Sequence, residues 1–198
     1  DRIGLPVAVR PFLDALLAVW IDLALDAIAI RLKYWTWIIP LNEGWFGVPP
    51  ANLYAWMWVA FCYSVPARLI RSLMKKEKRW YFEYFVLPAV SYLGLLFAMS
   101  SFGVIANTLG LRTQNERLVI FLSLFLLFLF IILIFWKHSK RSSESLTPVW
   151  MWSRLAIHIY FLIAYFLFGF YTEIPLLGVI AFAALGGEIF FMKKFLSA

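Results

Sequence analysis

Little in this chain suits a soluble domain. Charged residues make up only 15% of it, and it has a single cysteine, Cys62. A lone cysteine closes no internal disulfide, which excludes a secreted cross-linked scaffold. The low charge excludes a disordered chain, since those stay solvated by carrying more of it. No HExxH, CxxCH or cysteine cluster is present, so no metal motif can be read. No GxGxxG or Walker loop occurs either, so no nucleotide cofactor is expected. Alternation with period two is absent from the apolar runs, which argues against lipid-facing barrel strands. What is present is apolar: 64% of the 198 residues are hydrophobic and 20% aromatic. An ordinary soluble domain is about half apolar and a quarter charged. The class left is an all-α, polytopic bundle forming a single integral membrane domain over 1–198.

The clearest span is 118–136, interrupted only by Ser123 and free of charge. Its helix rise is roughly 28 Å, about one hydrocarbon core. Similar runs predict six transmembrane helices near 6–30, 51–73, 81–102, 118–136, 149–171 and 174–192. The first run holds Asp14, Asp22 and Asp26, which a signal-peptide core tolerates badly, so it reads as a span. Basic residues follow spans two, four and six: Arg68, Arg71, Lys75, Lys76, Lys78 and Arg79; Lys137, Lys140 and Arg141; Lys193 and Lys194. On the other face, Arg31, Lys33, Arg112 and Arg117 are diluted by Glu43, Glu116 and Glu173. The bias places both termini in the cytoplasm of a prokaryotic cell. The net charge of +7 then reports topology and headgroup contact, with no nucleic acid as partner. The segment 139–147 reads as a solvated loop.

The first span is the informative one. Arg10 and Asp14 are four apart and pair on one helix face, and Asp22 and Asp26 are also four apart. At 100° per residue, Asp14 to Asp26 cover about 120° of helix surface, so all three acids share a sector. A carboxylate facing hydrocarbon costs several kcal/mol, so the sector must face helices, water or a ligand. Two readings follow. Either the acids lock helices together through Arg154 or other donors, or Asp22 and Asp26 form an acid/base pair that keeps one proton near neutral pH. Further along, 31–52 is rich in aromatics, and Gly44, Gly47, Pro49 and Pro50 prevent a continuous helix. It reads as an interfacial or re-entrant segment. Trp35, Trp37, Trp45 and Trp56 would wall a pocket for a large apolar molecule beside Asp26, with Glu43 and Asn52 among them. In span five, Arg154 and His158 share a face. Arg154 snorkels or pairs with Glu83 or Glu188, while His158 is a candidate ligand for a haem or chlorophyll. The phenylalanines of 121–135 read as lipid-facing bulk.

The run Asp22-x-x-x-Asp26, then Trp35-x-Trp37, then Gly44-Trp-Phe-Gly47-Val-Pro49-x-x-Asn52-x-x-x-Trp56 resembles the carotenoid biosynthesis membrane proteins. That family includes carotenoid 1,2-hydratases of the bisanhydrobacterioruberin hydratase type. The resemblance implies cofactor-free addition of water to an end-group C=C of an acyclic carotenoid. On this reading Asp22, Asp26 and Glu43 are catalytic, with Asp26 the proton donor and Asp22 its partner or the base, or the reverse. Glu43 and Asn52 position water, and Trp35, Trp37, Trp45, Asn52 and Trp56 bind the lipophilic carotenoid. Two other classes compete. A non-enzymatic subunit of a photosynthetic or respiratory complex, with membrane-protein partners, would hold pigment or lipid. A small transporter would use the three aspartates as a proton relay.

Overall fold

The computed structural model describes residues 5–74, 76–136 and 148–196. The 139–147 loop and the basic residues Lys75, Lys137, Lys140 and Arg141 lie outside the described residues, as do the side chains of Lys76, Lys78 and Lys194. The described residues are helical throughout their long segments: α1 Arg10–Arg31, α2 Pro50–Leu73, α3 Lys76–Tyr81, α4 Leu87–Thr108, α5 Gln114–Trp136, α6 Pro148–Leu167, α7 Phe170–Glu173 and α8 Pro175–Leu196. No strand occurs among them. A π-helical turn, Phe82–Val86, joins α3 to α4. Pro88 has no N–H to give, and the Leu87 N–H reaches back to the Phe82 carbonyl, which sets that wider turn.

Among the described residues, four helices are long and apolar enough to cross a membrane: Pro50–Leu73, Arg79–Thr108, Gln114–Trp136 and Pro175–Lys193. The apolar part of α6, Trp152–Leu167, is shorter. α1 is long enough, at roughly 33 Å, but carries Arg10, Asp14, Asp22, Asp26 and Arg31. Its position answers that charge. α1 packs against α2, α5, α6 and α8, and its Ala15, Val19, Ala27, Ile28 and Ala29 are fully buried. The long helix with the most charged residues thus packs against four others, and its charges are kept within the bundle.

Small residues and polar clamps hold these helices together. Gly187 on α8 leaves room for the Trp20 ring, whose Nε1 donates to the Ala184 carbonyl at 3.0 Å. Arg154 on α6 donates to both carboxylate oxygens of Glu188 on α8, at 2.6 and 3.0 Å, and to the Leu17 carbonyl of α1 at 3.3 Å. Of the partners expected for Arg154, Glu188 takes it, while Glu83 is held by Arg71. His158 is buried with its Nε2 3.8 Å from Glu188 Oε2. In α2, Pro66 cannot bond the Cys62 carbonyl, and Ser91 Oγ of α4 donates to it instead at 3.2 Å. The expectation for the phenylalanine-rich span needs correction in part: Phe130 and Phe135 are exposed, as lipid-facing bulk would be, but others are not. Phe121 and Phe128 are buried, and Phe128 meets Phe12, Trp58 and Phe61 in a ring cluster that fills the space between α1, α2 and α5.

Candidate active site

Two contacts fix how α1 lies on α2. Near the end of α1, Asp26 Oδ2 accepts a hydrogen bond from Asn52 Nδ2 at 2.7 Å. Near its start, Asp14 Oδ2 accepts from Ser64 Oγ at 2.5 Å and from Arg68 Nη2 at 2.7 Å. The helices run antiparallel, and the contacts are equally far apart on both. The register is therefore constant between them. Counted along the two helices at that spacing, Asp22 matches Trp56, Ala18 matches Ala60, and Arg10 matches Arg68. Consistent with this, Arg10 lies close enough to Arg68 for their charges to oppose each other and close enough to Asp14 for attraction. Each helix thus carries a row of residues at four-residue spacing: Arg10, Asp14, Ala18, Asp22, Asp26 on α1 and Arg68, Ser64, Ala60, Trp56, Asn52 on α2.

The three acids of the sector are not equivalent. Asp14 is half of an ion pair. Asp26 is buried, at 6% exposure, and is held by the Asn52 amide. Asp22 is half-buried, and no donor among the described residues reaches its carboxylate; the charge acting on it is that of Asp26. Among the described residues, no arginine neutralises Asp22 or Asp26. Arg154 is taken by Glu188, Arg68 by Asp14, and Arg31 lies 3.6 Å from Glu173. The pair therefore lies within the bundle with no cation on it among the described residues, one member bound by a neutral amide and the other open.

The aromatic segment folds back over the end of α1. Trp45 and Val48 exchange backbone hydrogen bonds at 2.9 and 3.0 Å, and the Gly47 N–H reaches the Glu43 carbonyl at 2.9 Å. Gly44 has φ +60°, and a Cβ there would meet the Val48 carbonyl oxygen at 2.5 Å, so glycine is required. Arg31 pins the turn by donating to the Ala27 carbonyl at 2.8 Å and the Phe46 carbonyl at 2.9 Å. Trp45 Nε1 donates to the Leu23 carbonyl at 2.7 Å, and its ring packs on Phe46 and Phe121. Asn115 on α5 accepts from the Gly44 N–H at 2.9 Å.

Against the expected site, the structure brings together Asp22, Asp26 and Asn52, while Trp56 lies one turn along α2 from Asn52 and is exposed. Glu43 joins the segment through its backbone, and its carboxylate has no polar partner among the described residues. Trp35 and Trp56 are exposed, Trp37 buries its indole N–H against the core, and Trp45 is tied to α1. No ring contact among the described residues joins any two of these four tryptophans. A cavity of about 570 Å³ does open beside the segment, between Trp45, Phe46, Leu118, Ile174, Arg31 and Glu173. Arg31 is about 140° around α1 from Asp26 at 100° per residue, so this cavity lies away from the acid pair.

Sequence reasoning missed Arg31 as the clamp of the turn, Ser64 and Arg68 as the partners of Asp14, and Trp58 as a buried indole whose Nε1 has no acceptor. A usable signal existed for the second of these. Asn52, Ala60, Ser64 and Arg68 fall on a four-residue spacing, the same as that of the acids they face.

With this geometry in view, comparison with known proteins adds one match. The model of the family described as carotenoid biosynthesis protein matches residues 5–113, more than half of the chain. The matched part runs from before α1 through α4 and contains the acid pair, the glycine turn and Asn52; α5 to α8 lie beyond it. No curated protein and no solved structure matches the chain.

Proposed function

The chain belongs to the carotenoid biosynthesis protein family, and from that premise we propose that it is a membrane enzyme that adds water to an end-group C=C of an acyclic carotenoid. The observation that carries the reading is the acid pair: Asp26 bonded to Asn52 at 2.7 Å, with Asp22 one turn away and lacking a donor. An amide N–H at Asp26 favours the anionic form of that carboxylate. The proton shared by the pair then belongs on Asp22. Of the two assignments left open by the spacing, this favours Asp22 as the acid and Asp26 as the base.

The chemistry follows from a weakly basic substrate. Asp22 gives its proton to the less substituted alkene carbon, the π bond breaks, and a tertiary cation forms. The indole of Trp56, in register with Asp22, offers an electron-rich face to that cation, a contact of about 2 kcal/mol when desolvated. Water adds through oxygen, Asp26 takes the proton it releases, and proton exchange within the pair returns the acid to its starting form. The net change is one water added, with no electron transfer and no cofactor. Glu43 and Asn52 position that water, and Trp35 and Trp56, the two exposed tryptophans of the four, line the approach of the chain end. We further propose that α1 and α6 cross the membrane with the four apolar helices, giving six spans with both termini in the prokaryotic cytoplasm. A lipophilic substrate then enters sideways from the bilayer.

The test is expression in lycopene-producing cells with pigment mass analysis. The expected product is heavier by one water, and it disappears with Asp22→Asn and Asp26→Asn while both variants still insert in the membrane. A pigment profile identical with and without the protein would sink the proposal and favour a pigment- or lipid-holding subunit.

A further inference from the structure

At the other end of the α1–α2 seam is a second cavity, of about 650 Å³. Three guanidinium groups line it, from Arg10, Arg68 and Arg71, against the single carboxylate of Asp14. Ser64 and Ser72 add hydroxyls, and Ala60, Ala67 and Tyr63 add an apolar wall. Arg68 already donates to Asp14 and to Ser64 Oγ, at 2.7 and 3.0 Å, and Arg71 reaches Glu83 at 3.1 Å. These contacts fix the guanidiniums at the rim of the cavity and leave its lining cationic. Arg10 and Arg68 are held where their charges oppose each other. A second anion between them would relieve that repulsion. The start of α1 also borders the cavity, and the positive end of its helix dipole adds to the same field. The cavity lies in the last turns of a helix apolar enough to cross a membrane, next to Leu73 where that helix ends. That is headgroup depth, and the apolar wall below it suits an acyl chain.

We propose that this cavity binds a phosphate group, carried by the headgroup of an anionic glycerophospholipid. The site is separate from the acid pair, and the inference does not depend on the hydration reaction. Native mass spectrometry of the full chain in neutral detergent tests it, with phosphatidylglycerol and phosphatidylcholine of matched acyl chains as probes. Phosphatidylglycerol should be retained preferentially. Arg10→Gln and Arg71→Gln should each weaken retention about fivefold, the ~1 kcal/mol that one basic side chain supplies at an anionic surface. Both variants spare the Asp14–Arg68 contact, which Arg68→Gln would break. Arg112→Gln, at the far end of the bundle, should change nothing. Displacement of the lipid by millimolar inorganic phosphate would keep the phosphate site and reassign its source to a soluble molecule; persistence of the lipid confirms the headgroup. Equal retention of the two lipids, or unchanged retention in both cavity variants, overturns the proposal.

Discussion

Replacing Asn52 with leucine keeps the bulk of the side chain and removes the donor that reaches Asp26 Oδ2 at 2.7 Å. Asp26 is 6% exposed, so water does not readily replace that donor. A hydrogen bond to a charged group contributes about 1.5–3 kcal/mol. At about 1.4 kcal/mol per decade, turnover should fall roughly ten- to hundredfold, because the base is left without the contact that favours its anion. A second variant separates catalysis from packing. Asp26→Asn combined with Asn52→Asp reverses the pair, with the new amide at position 26 donating to the new carboxylate at position 52. Stability should return to within about 0.5 kcal/mol of the parent, whereas turnover should stay low, because the carboxylate has moved onto α2 and away from Asp22. The assay is hydrated pigment formed per unit protein in lycopene-containing membranes, with thermal unfolding in detergent as the stability measure. Turnover within about twofold of the parent in Asn52→Leu would refute the reasoning, and so would full activity in the reversed pair.

Gly44→Ala should lower stability by about 2 kcal/mol, from the left-handed backbone at φ +60° and the approach to the Val48 carbonyl. Gly103→Ala, where an added methyl meets nothing within 4 Å, should be neutral or slightly stabilising in the same melts. Glu188→Gln, which leaves the buried Arg154 without its counter-charge, should cost about 3–5 kcal/mol, while Arg154→Met with Glu188→Leu should lose far less. Trp45→Phe should cost about 1 kcal/mol through the lost bond to the Leu23 carbonyl, and measurably faster amide exchange in the aromatic segment would report it.

Hydrophobic runs and charge spacing were enough to locate the six long helices and the acid sector, because both depend on neighbours along the chain. The i, i+4 spacing brought Asp22 and Asp26 to one face, and the glycine-proline run broke the helix where the turn is found. What spacing could not supply was the register between helices. Arg10 was the obvious local partner of Asp14, yet Arg68 and Ser64 also bind it, from far along the sequence. The tryptophans failed as a group for the same reason. Their closeness in sequence suggested one wall, but Trp45 is turned to the Leu23 carbonyl and Trp56 stands on another helix. The burial of Phe121 and Phe128 was also hidden, since a helix apolar on every side gives no hint of which side faces protein.

A central helix that carries five ionisable side chains also bears on how the protein is made. An aspartate at the middle of an inserting segment costs about 3 kcal/mol, and each leucine returns only about 0.5. On the proposed reading in which α1 is a span, its charges disfavour entry into lipid from the translocation machinery without a partner helix. Asn52, Ser64 and Arg68 reach the same machinery next in order of synthesis, so α1 is expected to wait there and partition together with α2 as a hairpin.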